Sequence, residues 1–363
     1  MSVRFHAPYM EWAKQRPSPR YDLAISNILG CSIDDLPAAR EALDLSGKND
    51  NGYAPLIEAI ADRYRVNPDQ VTTAQGTSGA NFLVCAALLE PGDEVLVERP
   101  GYDPLLGTPR LLGAHTIRFD RTFDDGYRLD PDRVRRAMTA RTRLIIITTP
   151  HNPTGALATR EETLEVGRIA ESAGAHVVMD EVYLDVASDQ PSADVAARLG
   201  DVFISTSSLT KSYGLASLRC GWVLSSPALA ERLRRARDVV DGTGSIVTER
   251  LSVLAFEHLN ALHARAKKIL ATNFPKVRDF VAGRPELQWV PPQGGTVAFP
   301  RIGGVDDTTR FVGRLVAERE TIVVPGRFFE APSHFRVGFS GRTDVLEGGL
   351  AQLEAALTAR AWS

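Results

Sequence analysis

Residues 144–183 read LIIITTPHNPTGALATREETLEVGRIAESAGAHVVMDEVY, and this stretch decides the fold class. Its two apolar runs, Leu144 to Thr149 and His176 to Met179, are short and β-branched, the pattern of strands buried on both faces of a parallel sheet. Between them Thr159 and Glu162 have capping-box spacing, Val166, Ile169, Ala170 and Ala173 form one apolar stripe, and Gly174 marks a stop. Strand, helix and strand therefore make one parallel crossover unit, right-handed by the general rule for such connections. Working outward, Glu94 to Val97 and Val202 to Ser205 read as further strands, and the region from about Thr72 to Leu224 alternates short apolar runs with helical stretches. The class is α/β with a largely parallel sheet.

Three polar motifs follow three of these strands: Pro150-His151-Asn152-Pro153-Thr154-Gly155, Asp180-Glu181-Val182-Tyr183 and Ser207-Ser208-Leu209-Thr210-Lys211. Ligands of open parallel sheets bind beyond the carboxyl ends of the strands, so an amide, a carboxylate, a phenol and an amine converge on one edge. Taken alone, Lys211 reads as a solvated loop lysine before Ser212-Tyr213-Gly214. In that company it is an amine whose pKa burial would lower, making it a nucleophile toward an aldehyde. Asp180 ends the apolar strand Val177-Val178-Met179, where an unpaired carboxylate is costly, so a cationic partner is expected. That partner is either a structural one, a helix N-terminus or an arginine, or the N–H of a pyridinium ring. Gly76-Thr77-Ser78-Gly79-Ala80 precedes the apolar run Phe82 to Leu89 and is either a plain helix cap or an anion site. It lacks the Lys-Ser/Thr ending of a nucleotide-binding loop. Ser208 and Arg219 offer the further hydrogen bonds and charge that a phosphate monoester demands.

A chain of 363 residues exceeds the usual single core, so two lobes are expected. A net charge of −3 with 24% charged residues argues against a nucleic-acid partner. The aliphatic runs are too short to cross a bilayer, and Met1 to Pro17 lacks the apolar centre of a signal peptide, which reads as a cytoplasmic protein. Cys31, Cys85 and Cys220 are odd in number and scattered, and no His-x-x-x-His pair occurs, so neither disulfides nor a catalytic metal is expected. From about Thr248 to Ala282 the pattern is one long helical stretch. Short strands follow at Val297 to Phe299, Thr321 to Val324 and Phe335 to Phe339, then a helix from Val345 to Leu357. These form a smaller α+β lobe, to which Met1 to Leu36 adds an arm. The expected division is residues 1–40 for the arm and part of the small domain, 41–250 for the large domain, and 251–363 for a linking helix and the rest of the small domain.

Asn152-Pro153-Thr154-Gly155, Asp180-Glu181-Val182-Tyr183, Ser208-Leu209-Thr210-Lys211, Arg219, Gly294-Gly295 and Phe335-Arg336-Val337-Gly338-Phe339 together resemble the class I/II aminotransferases of fold type I, the aspartate aminotransferase superfamily. The resemblance runs over nearly the whole chain. It implies a mostly parallel seven-stranded sheet, pyridoxal 5'-phosphate held by Lys211 as a Schiff base, and Lys211 as the carrier of the substrate Cα proton. It further implies Asp180 on the ring nitrogen, Tyr183 and Asn152 on the phenolic oxygen, Tyr102 stacked on the ring, and Thr77, Ser78, Ser208 and Arg219 around the phosphate. Arg336 would clamp the substrate α-carboxylate, and the enzyme would be a homodimer exchanging an amino group between an amino acid and a 2-keto acid by a ping-pong route. Without the resemblance, Tyr102 reads as a core aromatic and Arg336 as a strand arginine in a surface ion pair, a reading that the apolar neighbours Phe335, Val337 and Phe339 oppose.

The chain departs from the family pattern in two places. Gly47 stands where many relatives carry a tyrosine that reaches the neighbouring subunit's cofactor, with Tyr53 nearby but out of register. The segment Ile25-Ser26-Asn27-Ile28-Leu29-Gly30 replaces a Gly-x-Pro pattern and assigns Asn27 to the substrate pocket. Arg250 and Arg327 are candidates for binding a side-chain carboxylate, and Thr243 and Ser245 either reach a partner's site or form a plain turn. Rival readings are a pyridoxal-phosphate lyase or synthase performing elimination or cyclisation, a non-catalytic effector-binding module, and, on fold alone, a dehydrogenase, which Gly242-Thr243-Gly244 fails to support.

Overall fold

Apolar residues at successive strand positions point to opposite faces, so a strand that is apolar throughout needs a core on each side. The computed structural model, which describes residues 7–189 and 194–362, has this arrangement. Val95, Val97, Leu144, Ile146 and Val178 pack into one cluster, while Leu96, Ile145, Ile147, Val177 and Met179 pack into another on the far face. After a short strand β1 (Tyr21–Asp22), the main sheet is built from β2 (Val71–Gln75), β3 (Glu94–Arg99), β4 (His115–Asp120), β5 (Thr142–Thr148), β6 (His176–Asp180), β7 (Phe203–Ser208) and β8 (Cys220–Leu224). Their order is β2-β8-β7-β6-β5-β3-β4, and β8 alone runs against its neighbours. The β5–helix–β6 unit is parallel and adjacent, and its helix, Arg160–Ser172, carries the expected capping box between Thr159 and Glu162.

Four sequence expectations need correction. Strand β7 runs to Ser208 rather than ending at Ser205, so Lys211 sits in a short helix, Leu209–Tyr213, and not in a loop. Gly214 closes that helix at φ +75, and a Cβ there would lie 2.5 Å from the Leu29 carbonyl oxygen. The long helical stretch from Thr248 is two helices, Ile246–Glu257 and Leu259–Ala282, divided at His258. Thr321 to Val324 is not one strand: Thr321–Ile322 pairs with β1, whereas Val324–Pro325 pairs with Phe335–Gly338. Three strands of the main sheet, β2, β4 and β8, have no counterpart among the sequence expectations. β4 is an edge strand whose His115, Thr116 and Arg118 hide any alternation, and β8 takes its order from long-range pairing.

The last third of the chain and the N-terminal arm share a further core. Leu23, Ala24 and Ile28 pack with Phe299, Phe311, Phe335, Val337 and Phe339, and Val182 and Tyr183 join the same cluster. Residues 1–6 of the arm lie outside the described residues. The arm's first helix, α1 (Pro8–Gln15), lies across the edge where the parallel strands end, and its Tyr9 packs edge-on to Tyr102 with ring centroids 5.6 Å apart.

Candidate active site

The carboxyl ends of β2, β3, β5, β6 and β7 open onto a cavity of about 580 Å3, roofed by α1 and the segment 24–27. Each parallel strand delivers its following residues to that edge: β2 gives Thr77 and Ser78, β3 gives Tyr102, β5 gives Asn152, β6 gives Asp180 and Tyr183, and β7 gives Ser208 and Lys211. Arg219 reaches the same edge for the opposite reason. It precedes β8, which is antiparallel, so the start of β8 lies beside the ends of its neighbours. With Asn27, ten of the eleven side chains expected from the sequence line this one cavity.

The eleventh, Arg336, lies fully buried behind the wall. Its Nη1 donates to Asn152 Oδ1 at 2.9 Å, and its Nη2 donates to the Tyr9 hydroxyl at 2.8 Å and the Ala24 carbonyl at 3.1 Å. Its Nε has no hydrogen-bond partner, and among the described residues no ion pair involves it. A buried guanidinium held only by neutral groups is an unfinished anion site, because a buried charge is ordinarily paired. The surface ion pair considered for this residue is absent from the described contacts.

Lys211 donates from Nζ to Asn27 Oδ1 at 2.6 Å and to Ser26 Oγ at 3.0 Å. Burial lowers its pKa to about 7, the Arg336 charge adding to the effect and Asp180 opposing it. A large share of the amine is therefore neutral near physiological pH, as a nucleophile or proton carrier requires. Burial raises Asp180 to about 6, opposed by hydrogen bonds from Asn81 Nδ2 at 2.9 Å and the Val182 N–H at 3.3 Å. Among the described residues no cation pairs directly with this carboxylate: its donors are an amide and a backbone N–H, and Lys211 acts on it only through its field. Tyr183 is pushed up to about 12 by burial and stays protonated, so it can donate.

After α2 (Ala54–Tyr64), the next helix, α3 (Gly76–Leu88), begins at the β2 edge at the other end of the cavity. It starts at Gly76, within the segment that the sequence reads as a helix start, and Gly76 at φ +68 turns the chain directly from strand into helix. Thr77 Oγ1 donates to Ser208 Oγ at 2.9 Å, and Ser208 Oγ also accepts from the Thr210 N–H at 3.3 Å. Arg219 Nη2 lies against this loop, donating to the Gln75 carbonyl at 3.2 Å, and a Cβ on Gly76 would meet it at 2.5 Å. Thr148 Oγ1 and Thr210 Oγ1 are buried without partners on the cavity wall. A helix N-terminus, hydroxyls and an arginine suit a dianion, and a carboxylate and an amine stand at the opposite end.

The chain matches the aminotransferase class I and II family over residues 21–353. It belongs to that family. Enzymes of the family use pyridoxal 5'-phosphate, and the chain is a pyridoxal-phosphate-dependent enzyme of the transferase type. Capreomycidine synthase of Streptomyces vinaceus is 32% identical, covering 97% of this chain and 93% of its own. Among solved structures, a PLP-dependent aminotransferase from Streptococcus suis superposes with a TM-score of 0.90 at 28% identity, over 100% of this chain and 99% of that one. The PLP-dependent cyclase OrfR superposes with a TM-score of 0.87, also at 28%, over 99% of this chain and 100% of that one. The donor set fits the family's cofactor: the Thr77 and Ser208 hydroxyls, a helix start and Arg219 for the phosphate, and a carboxylate and an amine for the ring nitrogen and the aldehyde.

Sequence reasoning missed Tyr9, Ser26, Asn81 and Thr206. Asn81 had a signal, as a polar residue immediately before the apolar run Phe82 to Leu89; Tyr9, 327 positions from Arg336, had none. Gly47 lies away from the cavity, and a Cβ there would meet Ile246 Cγ1 at 2.9 Å and Arg250 Nη2 at 3.2 Å, so the space a side chain would need is filled. Tyr53 packs its ring 5.8 Å from Arg250, which pairs with Asp44 at 3.4 Å, and Arg327 lies 4.3 Å over the Phe328 ring. None of these lines the cavity, and neither does Thr243 or Ser245, the latter immediately preceding the helix Ile246–Glu257.

Proposed function

We propose that this enzyme is an aminotransferase that moves an amino group between an α-amino acid and a 2-keto acid by a ping-pong route. One observation carries the reading: an amine with a pKa near 7 shares a cavity with a buried carboxylate, beside a buried arginine that lacks an anion. Thr77, Ser78, Ser208, Arg219 and the α3 N-terminus would hold the cofactor phosphate, Asp180 its ring nitrogen, Tyr183 and Asn152 its phenolic oxygen, and Tyr102 would stack on its ring. When bound, the cofactor supplies an electron sink for charge developing at the substrate Cα. Lys211 Nζ takes the Cα proton and later returns one, and the neutral share set by burial is what lets it act as base and then acid. Arg336 orients the substrate through its α-carboxylate, for which its planar fork is suited. Arg336 Nη2 now donates to the Tyr9 hydroxyl, which a substrate carboxylate would replace, and Asn27, which accepts from Lys211 Nζ, would face the substrate.

The same reading makes the enzyme a cytoplasmic homodimer with the three-part division given above. Exposed Leu45, Val239 and Val240 support an interface, and among the described residues no helix is long and apolar enough to cross a membrane. A second reading, elimination or cyclisation on the same cofactor, is favoured by the near full-length match to a synthase and by Gly47, which leaves out a tyrosine common among aminotransferases. The test is to treat the holoenzyme with a panel of amino acids and analyse products. A keto acid formed in proportion to enzyme, and consumed again in the presence of a second keto acid, supports transamination. Ammonia or a cyclised product without net amino transfer overturns it in favour of the second reading.

A further inference from the structure

Asn81 stands on the second turn of α3 with its side chain buried, and both ends of its amide are engaged. Nδ2 donates to Asp180 Oδ2 at 2.9 Å, and Oδ1 accepts from the Thr206 hydroxyl at 2.7 Å. Thr206 is itself fully buried and sits opposite Asp180 in the β6–β7 register, so sheet pairing fixes its distance from the carboxylate. A threonine hydroxyl has one proton, and here it goes to the amide oxygen. The ionised carboxylate only accepts, so the amide N–H faces Asp180 and the amide oxygen is left for the Thr206 hydroxyl; the reversed amide would set an oxygen against a carboxylate. We propose that Asn81, locked by Thr206, is a positioning residue that keeps Asp180 ionised and turned toward the cofactor's ring nitrogen.

The choice of a neutral donor has a physical reason. An arginine or lysine on Asp180 would also keep it charged, but would compete with a pyridinium for that charge, whereas an amide supplies a hydrogen bond and leaves the full negative charge for the ring. Each carboxylate oxygen receives one donor, Oδ2 from Asn81 and Oδ1 from the Val182 N–H, so lone pairs remain on both. Burial works against ionisation, and the Asn81 hydrogen bond is the largest effect opposing it. The other charged or titratable groups acting with Asp180 are Lys211, Glu98, Glu181, Tyr102 and Tyr183. All are retained in the Asn81 and Thr206 variants below, so their effects cancel in a ratio to wild type.

This inference rests on the assignment of Asp180 to the ring nitrogen, and its test separates the two. Pyridoxal 5'-phosphate is titrated into the cofactor-free full chain from pH 5.5 to 8.5, and Kd is compared for wild type, Asn81→Leu, Thr206→Val, Thr206→Ser and Asp180→Asn, with circular dichroism confirming the fold. For Asn81→Leu the ratio of its Kd to wild type should be about fivefold larger at pH 6 than at pH 8.5, because a lost hydrogen bond raises the pH at which the carboxylate ionises. Thr206→Val should change in the same sense and Thr206→Ser, which retains the hydroxyl, should match wild type. Should Asn81→Leu fail to fold, Thr206→Val carries the same expectation, with Thr206→Ser as its control. A ratio independent of pH, or no change in Kd, overturns the inference when Asp180→Asn does weaken binding. If Asp180→Asn binds with wild-type affinity and pH dependence, the assignment of Asp180 fails and this inference fails with it.

Discussion

The depressed basicity of Lys211 is open to direct measurement without cofactor or substrate. In cofactor-free protein, trace acetylation at each pH, read by mass spectrometry of the Lys211 peptide, reports the neutral fraction of that amine. An ordinary lysine with a pKa of about 10.4 is neutral to only a few parts in ten thousand at pH 7, and its labelling climbs about tenfold per pH unit across the neutral range. With its pKa near 7, Lys211 is about half neutral there; its labelling should level off above about pH 8 and fall roughly fiftyfold between pH 7 and pH 5. The causes predict two opposite displacements. Arg336→Met removes a positive charge that lowers the pKa, so the midpoint moves up, and Asp180→Asn removes a negative charge that raises it, so the midpoint moves down. Labelling that climbs unbroken to pH 10, or both variants moving the midpoint the same way, would refute the burial argument.

Three further outcomes follow from the geometry. Arg336→Met should lower kcat/KM for any accepted amino acid by a loss of about 2–5 kcal/mol, with Arg336→Lys recovering only part because an ammonium cannot form the planar fork; unchanged steady-state kinetics would remove Arg336 from the site. Arg121 and Glu98 form a buried pair at 2.8 Å beneath the β3–β5 edge, and Arg121→Met should cost about 3–5 kcal/mol in urea unfolding. Burial already raises the Glu98 pKa and Arg121 opposes that rise, so without Arg121 the folded carboxyl titrates further above its unfolded value and the deficit should grow from pH 5 to pH 8; a deficit below about 1 kcal/mol, or one that shrinks with pH, contradicts this. Gly76→Ala meets both a positive φ and the Arg219 guanidinium, and should weaken inorganic phosphate and pyridoxal-phosphate binding together by at least about tenfold, an outcome that isothermal titration checks.

How much of this was legible in the sequence follows from the range of the interactions involved. The β5–helix–β6 unit was readable because its strands are buried on both faces and its helix is capped by its own residues, all local facts. The boundary of β7 was not, because a polar strand end depends on pairing: Thr206, Ser207 and Ser208 look like a turn in isolation and become strand only where β6 and β8 supply the ladder. For the same reason the break at His258 and the partner change at Val323 were invisible.

The sequence by itself determined the α/β class, the strand-end motifs and, through their combination, the family, because each rests on short-range periodicity and residue chemistry. Tertiary structure alone decided what surrounds each group. It placed Arg219 at the site through the reversed direction of β8, and it set Tyr9 against Arg336 and Asn81 against Asp180. Among the described residues it set no carboxylate on Arg336, and it buried Lys211 deeply enough to lower its pKa to about 7. These are effects of desolvation and field from residues scattered over the whole chain, and no local pattern encodes a sum taken over three-dimensional neighbours.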